Sequence, residues 1–73
     1  MNRQPVTSSD LRSVGYDAET HTLEIEFHSG DVYQYFNVPE SEYSGLMRAA
    51  SKGSHFHAHI KDRYTYQRVR PGT

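Results

Sequence analysis

Several groups of side chains in this chain could do chemistry. His55, His57 and His59 recur at every second position; on a helix His55 and His59 share a face at i, i+4, a spacing used for zinc pairs, and on a strand all three align. A structural zinc site takes about four ligands and a catalytic one about three plus water, and Gly53, Ser54, Phe56 and Ile60 around them suit an amphipathic turn with exposed histidines, so no metal is assigned. Because imidazole gains charge below about pH 6.5, anion binding in this region should strengthen on mild acidification. Next along the chain, Lys61, Arg63, Tyr64, Tyr66, Arg68 and Arg70 mix cations that can neutralise phosphates with rings that can stack bases. Tyr64, Tyr66 and Arg68 are expected on one strand face, with Lys52 after the first helix and Arg48 on its exposed side. The alternative is that Tyr64 and Tyr66 pack in the core while the cations face water.

No pattern points to catalysis. A nucleophile beside a base, a carboxylate pair in an apolar pocket and a glycine-rich phosphate loop are all missing as motifs, so the chain is expected to be no enzyme and to need no cofactor. Ser51-Lys52-Gly53 resembles a fragment of a phosphate loop, but its expected place is a helix C-terminus, where carbonyls rather than amides point outward. Glu24 and Glu26 share a strand face and read as its wet side.

These residues must be positioned by a small scaffold. The chain has 73 residues, 34% of them hydrophobic, with six Tyr, three Phe and no Cys. That is room for one domain with a thin stability margin and an aromatic core, with no disulfide or thiolate zinc site to staple it. No stretch approaches the roughly 20 apolar residues of a membrane span, and residues 1–5 lack a signal-peptide core, which sets a cytoplasmic location and no membrane partner as the expectation. The net charge is only −1, but residues 1–46 carry two basic and eight acidic side chains while residues 47–73 carry six basic and one acidic. Such asymmetry either marks a basic contact surface or is spent on salt bridges between the halves.

The pattern predicts an α+β fold of order βββααβ, a small antiparallel sheet of three N-terminal strands and one C-terminal strand packed on one helix and a second short one. Residues 1–8 are expected as a flexible lead, 9–69 as the single domain and 70–73 as a flexible tail. Leu11–Tyr16 reads as a strand, and Leu23, Ile25 and Phe27 alternate with Glu24, Glu26 and His28 in the period-2 pattern of a second. A three-residue loop His28-Ser29-Gly30, with Gly30 left-handed, pairs Ile25 with Tyr33 and Leu23 with Tyr35 and sends both tyrosines to the apolar face. Pro39 opens a helix with the stripe Tyr43, Leu46, Met47 and Ala50, closed by Gly53. Ser54 then caps a second helix carrying Phe56 and Ile60, and Tyr64–Val69 alternates as the last strand. The expected core is Leu23, Ile25, Phe27, Tyr33, Tyr35, Tyr43, Leu46, Met47, Phe56 and Ile60.

The residues also carry a family resemblance from Ser9 to Val69. Ser13-Val14-Gly15-Tyr16-Asp17, Leu23-x-Ile25-x-Phe27-x-x-Gly30, Val32-Tyr33-x-Tyr35-x-x-Val38-Pro39 and Ala50-Ser51-Lys52-Gly53-x-x-Phe56-x-x-x-Ile60-x-x-x-Tyr64-x-Tyr66 together resemble the KTSC domain, named for a C-terminal extension of some lysyl-tRNA synthetases. His55 and His57 depart from its usual pattern of an aromatic residue before the Phe and an Asn after it. The resemblance implies a domain that occurs both appended to the synthetase and as a free-standing small bacterial protein, and by that association a role with RNA or tRNA. The expectation is therefore a binding module, monomeric or weakly homodimeric, that contacts RNA through its basic half. The alternative is a protein–protein interaction or inhibitory adaptor that uses a sheet edge or the acidic strand face.

Overall fold

The computed structural model describes residues 1–72, and Thr73, the last residue of the expected tail, lies outside the described residues. The elements are β1 (Gln4–Pro5), β2 (Leu11–Asp17), β3 (Thr22–Phe27), β4 (Val32–Tyr35), α1 (Glu40–Arg48), α2 (Lys52–His59) and β5 (Tyr66–Arg70). They form an α+β fold with one antiparallel sheet whose strand order is the chain order. The strand missing from the sequence-based expectation is β1. It falls inside the segment read as a loose lead and pairs Gln4 with Val14 and Pro5 with Ser13; Pro5 can sit there because β1 lies at the sheet edge, where one face of the ladder needs no donor.

The hairpin register follows the pattern. Leu23 pairs with Tyr35 and Ile25 with Tyr33, the Phe27 amide donates to the Asp31 carbonyl at 2.9 Å, and Gly30 turns with φ of 97°. In β2, Leu11 pairs with Phe27 and Ser13 with Glu26, so Arg12 is an extra bulged residue. The bulge resets the alternation and brings Leu11 and Val14, three residues apart, to one face, where both are buried.

One sheet face, carrying Leu11, Val14, Leu23, Ile25 and Tyr35, forms the core with Val38, Leu46, Phe56 and Ile60. Phe27, Tyr33, Tyr43 and Met47, also expected in the core, are half-buried against it. Phe56 joins helix to sheet through edge-on contacts with Phe27 and Tyr35, each with ring centroids 5.5 Å apart. Tyr16 stacks on Tyr43 at 4.8 Å, and its hydroxyl donates to the Val38 carbonyl at 2.6 Å.

The opposite face corrects the reading of Glu24 and Glu26 as a wet side. Glu24 is only 6% exposed. Arg3, brought in by β1, pairs with its carboxylate and donates through Nε to Ser13 Oγ at 3.0 Å. Gln34 donates to the other Glu24 oxygen at 2.8 Å. Ser13 and Arg70 both donate to Glu26, at 2.8 and 2.9 Å. A buried carboxylate persists only when its lone pairs are met in this way.

The helices differ from expectation at their junction. α1 ends at Arg48, its terminal turn closed by the Ala49 amide donating to Leu46 at 3.2 Å, and Ala49 has extended backbone angles. Ala50 therefore lies outside the helix, exposed rather than on the core stripe. The cap of α2 is Ser51 rather than Ser54: the Ser54 amide donates to Ser51 Oγ at 3.3 Å. Gly53 is the second residue of α2 and buried, not the end of α1. A side chain there would meet the Asp10 carboxylate at 2.8 Å, the movable end of a half-exposed side chain.

The last strand starts at Tyr66, not Tyr64, and runs to Arg70 with Val69 bulged between Arg68 and Arg70. Two residues of the expected tail make hydrogen bonds: Arg70 donates to the Gly30 carbonyl at 3.3 Å, and the Gly72 amide donates to the Asp31 carboxylate. No helix among the described residues is long and apolar enough to cross a membrane.

Candidate functional site

The register that buries Tyr35 also builds an open cleft. Tyr33 and Tyr35 alternate onto the helix-covered face of β4, and β5 sets Tyr66 opposite Tyr35 and Arg68 opposite Tyr33. Because β5 is the sheet edge and neither helix reaches over it, Tyr66 stays 56% exposed while its ring lies 5.6 Å from that of Tyr33 and 5.8 Å from that of Tyr35. Across from these rings stand Phe56 and His57 of α2, followed by Lys61 and Asp62 in the turn that leaves it. Phe27 and Asp31 complete a groove of about 280 Å³. It has an aromatic floor and a charged rim.

That turn is tightly made. The Lys61 amide donates to the Phe56 carbonyl at 2.9 Å and the Arg63 amide to Ile60 at 3.1 Å, while Asp62 takes a left-handed φ of 66°, a conformation Asp tolerates better than most residues. Burial, ahead of the neighbouring Tyr33, Tyr66 and Asp62 charges, pushes the Tyr35 phenol well above its ordinary pKa, so it is a neutral O–H group at physiological pH. Asp31 is held below the usual carboxylate range by the Gly72 amide, then by Ser29 and the charge of Arg68.

The structure divides the candidate nucleic-acid residues. Lys61 and Tyr66 line the cleft, and Arg68 flanks it on the same face of β5. Arg63 is exposed beside the turn. Arg70 lies on the other sheet face, paired with Glu26. Tyr64 precedes β5 and packs half-buried on the core; burial, with Glu42 beside it, raises its pKa. It therefore shares no strand face with Tyr66 and Arg68. Arg48 ends α1, and Lys52 donates to the Ala49 carbonyl at 3.1 Å at the helix junction. The sequence reading missed Phe27, Phe56, His57, Asp31 and Asp62 as cleft residues. The signal available was the hairpin register, which already placed Phe27 and Tyr33 on the same face.

The three histidines lie on α2. His55 and His59 meet with ring centroids 4.5 Å apart, as i, i+4 spacing demands. His55 Nε2 is buried without a hydrogen bond, the nearest carboxylate oxygen being that of Glu42 at 3.6 Å. His57 faces Asp10 at 3.7 Å. Among the described residues no group of three potential ligands converges on one point. Ser51-Lys52-Gly53 begins a helix rather than ending one, which overturns the argument against a phosphate site there. Lys52 is nonetheless turned back onto Ala49, and the Asp10 carboxylate occupies the space beside Gly53.

A five-stranded sheet with one face under two helices, the other closed by a charge network, and an aromatic groove at its edge defines a small α+β domain. The chain belongs to the KTSC domain family, whose model matches residues 7–64. It is similar to a crystallised KTSC domain protein from Yersinia pestis, with a TM-score of 0.92 at 40% identity over 94% of this chain and 97% of that one. It is 44% identical to an uncharacterised protein of Stutzerimonas stutzeri across 94% of this chain and 99% of the relative. It is also 43% identical to part of a lysine–tRNA ligase of Nostoc punctiforme, over 84% of this chain and only 11% of the ligase.

Proposed function

We propose that this chain is a non-catalytic module that binds single-stranded RNA, such as an unpaired segment of tRNA, in the cleft between α2 and β5. The observation that carries the reading is the exposed Tyr66 ring at the mouth of an aromatic-floored groove whose rim holds Lys61 and whose flank holds Arg68. An exposed ring beside a cation is the arrangement that stacks a base while neutralising its phosphate. Of the acidic half of the chain, Glu24 and Glu26 lie on the other sheet face and are paired with Arg3 and Arg70, while Asp31, which lines the cleft, is taken up by the Gly72 amide and Ser29. The similarity to a segment of a lysine–tRNA ligase supports RNA as the ligand class.

The test is a salt-titrated binding measurement against tRNA and a short single-stranded RNA. Tyr66→Ala should weaken binding by about 1–3 kcal/mol, the worth of one stacked base. Arg68→Ala should lower the salt slope by roughly 0.7, the share of one phosphate on a single strand. The absence of binding at low salt, or binding indifferent to both changes, sinks the reading. A second reading rests on the free edge of β5, all five of whose residues are exposed: a protein partner adds a strand there. Binding of that kind survives Tyr66→Ala and depends little on salt.

A further inference from the structure

The cleft has a polar feature that stacking alone leaves unused. Lys61 and Asp62, adjacent in the chain, both line it. Asp62 is held in the turn by a left-handed backbone and has no hydrogen bond or ion pair with another side chain among the described residues. Asp31, the other lining carboxylate, is already occupied by Gly72 and Ser29. The groove of about 280 Å³ falls just below the range of roughly 300–1,000 Å³ typical of drug-sized ligands, the scale of a single planar ring system.

We infer that the cleft selects guanine: the Asp62 carboxylate accepts the N1–H and N2–H donors of the base edge, Lys61 donates to O6, and the ring stacks on Tyr66. This rests on the RNA reading above and names the base it recognises. A carboxylate is acceptor-only and two-pronged, and guanine is the base that offers two adjacent donors on its Watson–Crick edge followed by an acceptor. Uracil can give one N–H to Asp62 and one oxygen to Lys61, but its second oxygen then faces a carboxylate oxygen. Adenine and cytosine each set a ring-nitrogen acceptor against Asp62. An ammonium guest would also suit tyrosine faces and a carboxylate, yet Lys61 on the same rim repels it.

The test uses the full chain and four five-nucleotide RNAs that are uridine except for a central guanosine, adenosine, cytidine or uridine, measured by fluorescence anisotropy against the protein and its Asp62→Asn variant. Asn also tolerates the left-handed turn, so the fold is kept, as an unchanged thermal midpoint will verify. The expected result is binding of the guanosine oligomer about tenfold tighter than the adenosine and cytidine ones, the size of one two-pronged base contact, with the preference abolished in Asp62→Asn as the guanosine affinity falls and the adenosine and cytidine affinities hold or rise, since Asn offers an N–H to their ring nitrogens. Equal binding of all four oligomers, or a guanosine preference that survives Asp62→Asn, overturns the inference and leaves the RNA reading standing. Binding of none of them, at low salt, removes both.

Discussion

The two faces of the sheet reach the same end by opposite chemistry. Under the helices, Leu11, Ile25, Tyr35, Leu46, Phe56 and Ile60 exclude water by apolar packing. On the other side, Glu24 is just as inaccessible, but it is enclosed by Arg3, Gln34 and a strand of two residues. The first face gains from every methylene it buries. The second gains only while every partner stays in place, since a buried carboxylate deprived of its counter-charge costs far more than the pair contributes. A domain of this size can thus cover two sheet faces with apolar material enough for one.

The comparison can be broken from either side. Phe56→Ala should cost about 3–5 kcal/mol, a large part of the roughly 4–11 kcal/mol that 73 residues sustain at 0.05–0.15 kcal/mol each, and urea denaturation will show a midpoint lowered in proportion. On the polar face, Arg3→Ala should cost about 2 kcal/mol, the scale of a hydrogen bond to a charged group. Combining it with Glu24→Leu should recover part of that loss, because the stranded charge goes with it; a double variant less stable than Arg3→Ala would show that Gln34 is partner enough for Glu24 when Arg3 is gone.

Acid sharpens the same contrast. The Ser13 hydroxyl, with Arg3 and Arg70, holds Glu26 below its ordinary value of 4.5. A carboxylate whose pKa is lower folded than unfolded contributes stability that is complete above the unfolded value and lost as pH falls through the folded one. The urea midpoint should therefore drop as pH falls below about 4.5, and Ser13→Ala, which returns Glu26 towards its ordinary value, should make that drop shallower. The smallest effect is expected from Arg70→Ala, whose exposed side chain makes a surface pair with Glu26 worth about 0.2–1 kcal/mol.

The apolar face was the legible one. Period-2 alternation in β3 and one glycine after Phe27 were enough to set the register of Tyr33 and Tyr35, because a slip by one residue would expose both rings. Leu11 and Val14 were not assigned to the core, since a bulge at Arg12 breaks the alternation that would have joined them. β1 was hidden because two residues, one of them proline, show no period; what places them is Arg3 finding Glu24, a pairing across 21 positions of sequence. The helix junction failed on competing signals: Gly53 imitates a C-terminal stop, and Ser51 and Ser54 are equally good caps by type, separated only by the Ser54 amide donating to Ser51 Oγ. Of the cleft, Tyr66 and Lys61 could be named from type alone, whereas Asp62 and Phe56 join them only through the closure of β5 onto β4.

That closure has a temporal meaning. Because strand order along the sheet is chain order, β1 to β4 assemble by short hairpin steps, which are quick, and one long step, across residues 36–65, brings in β5. On a ribosome delivering the N-terminus first, four strands can pair while Tyr66 is still inside the exit tunnel. The groove is thus the last part of this fold to form.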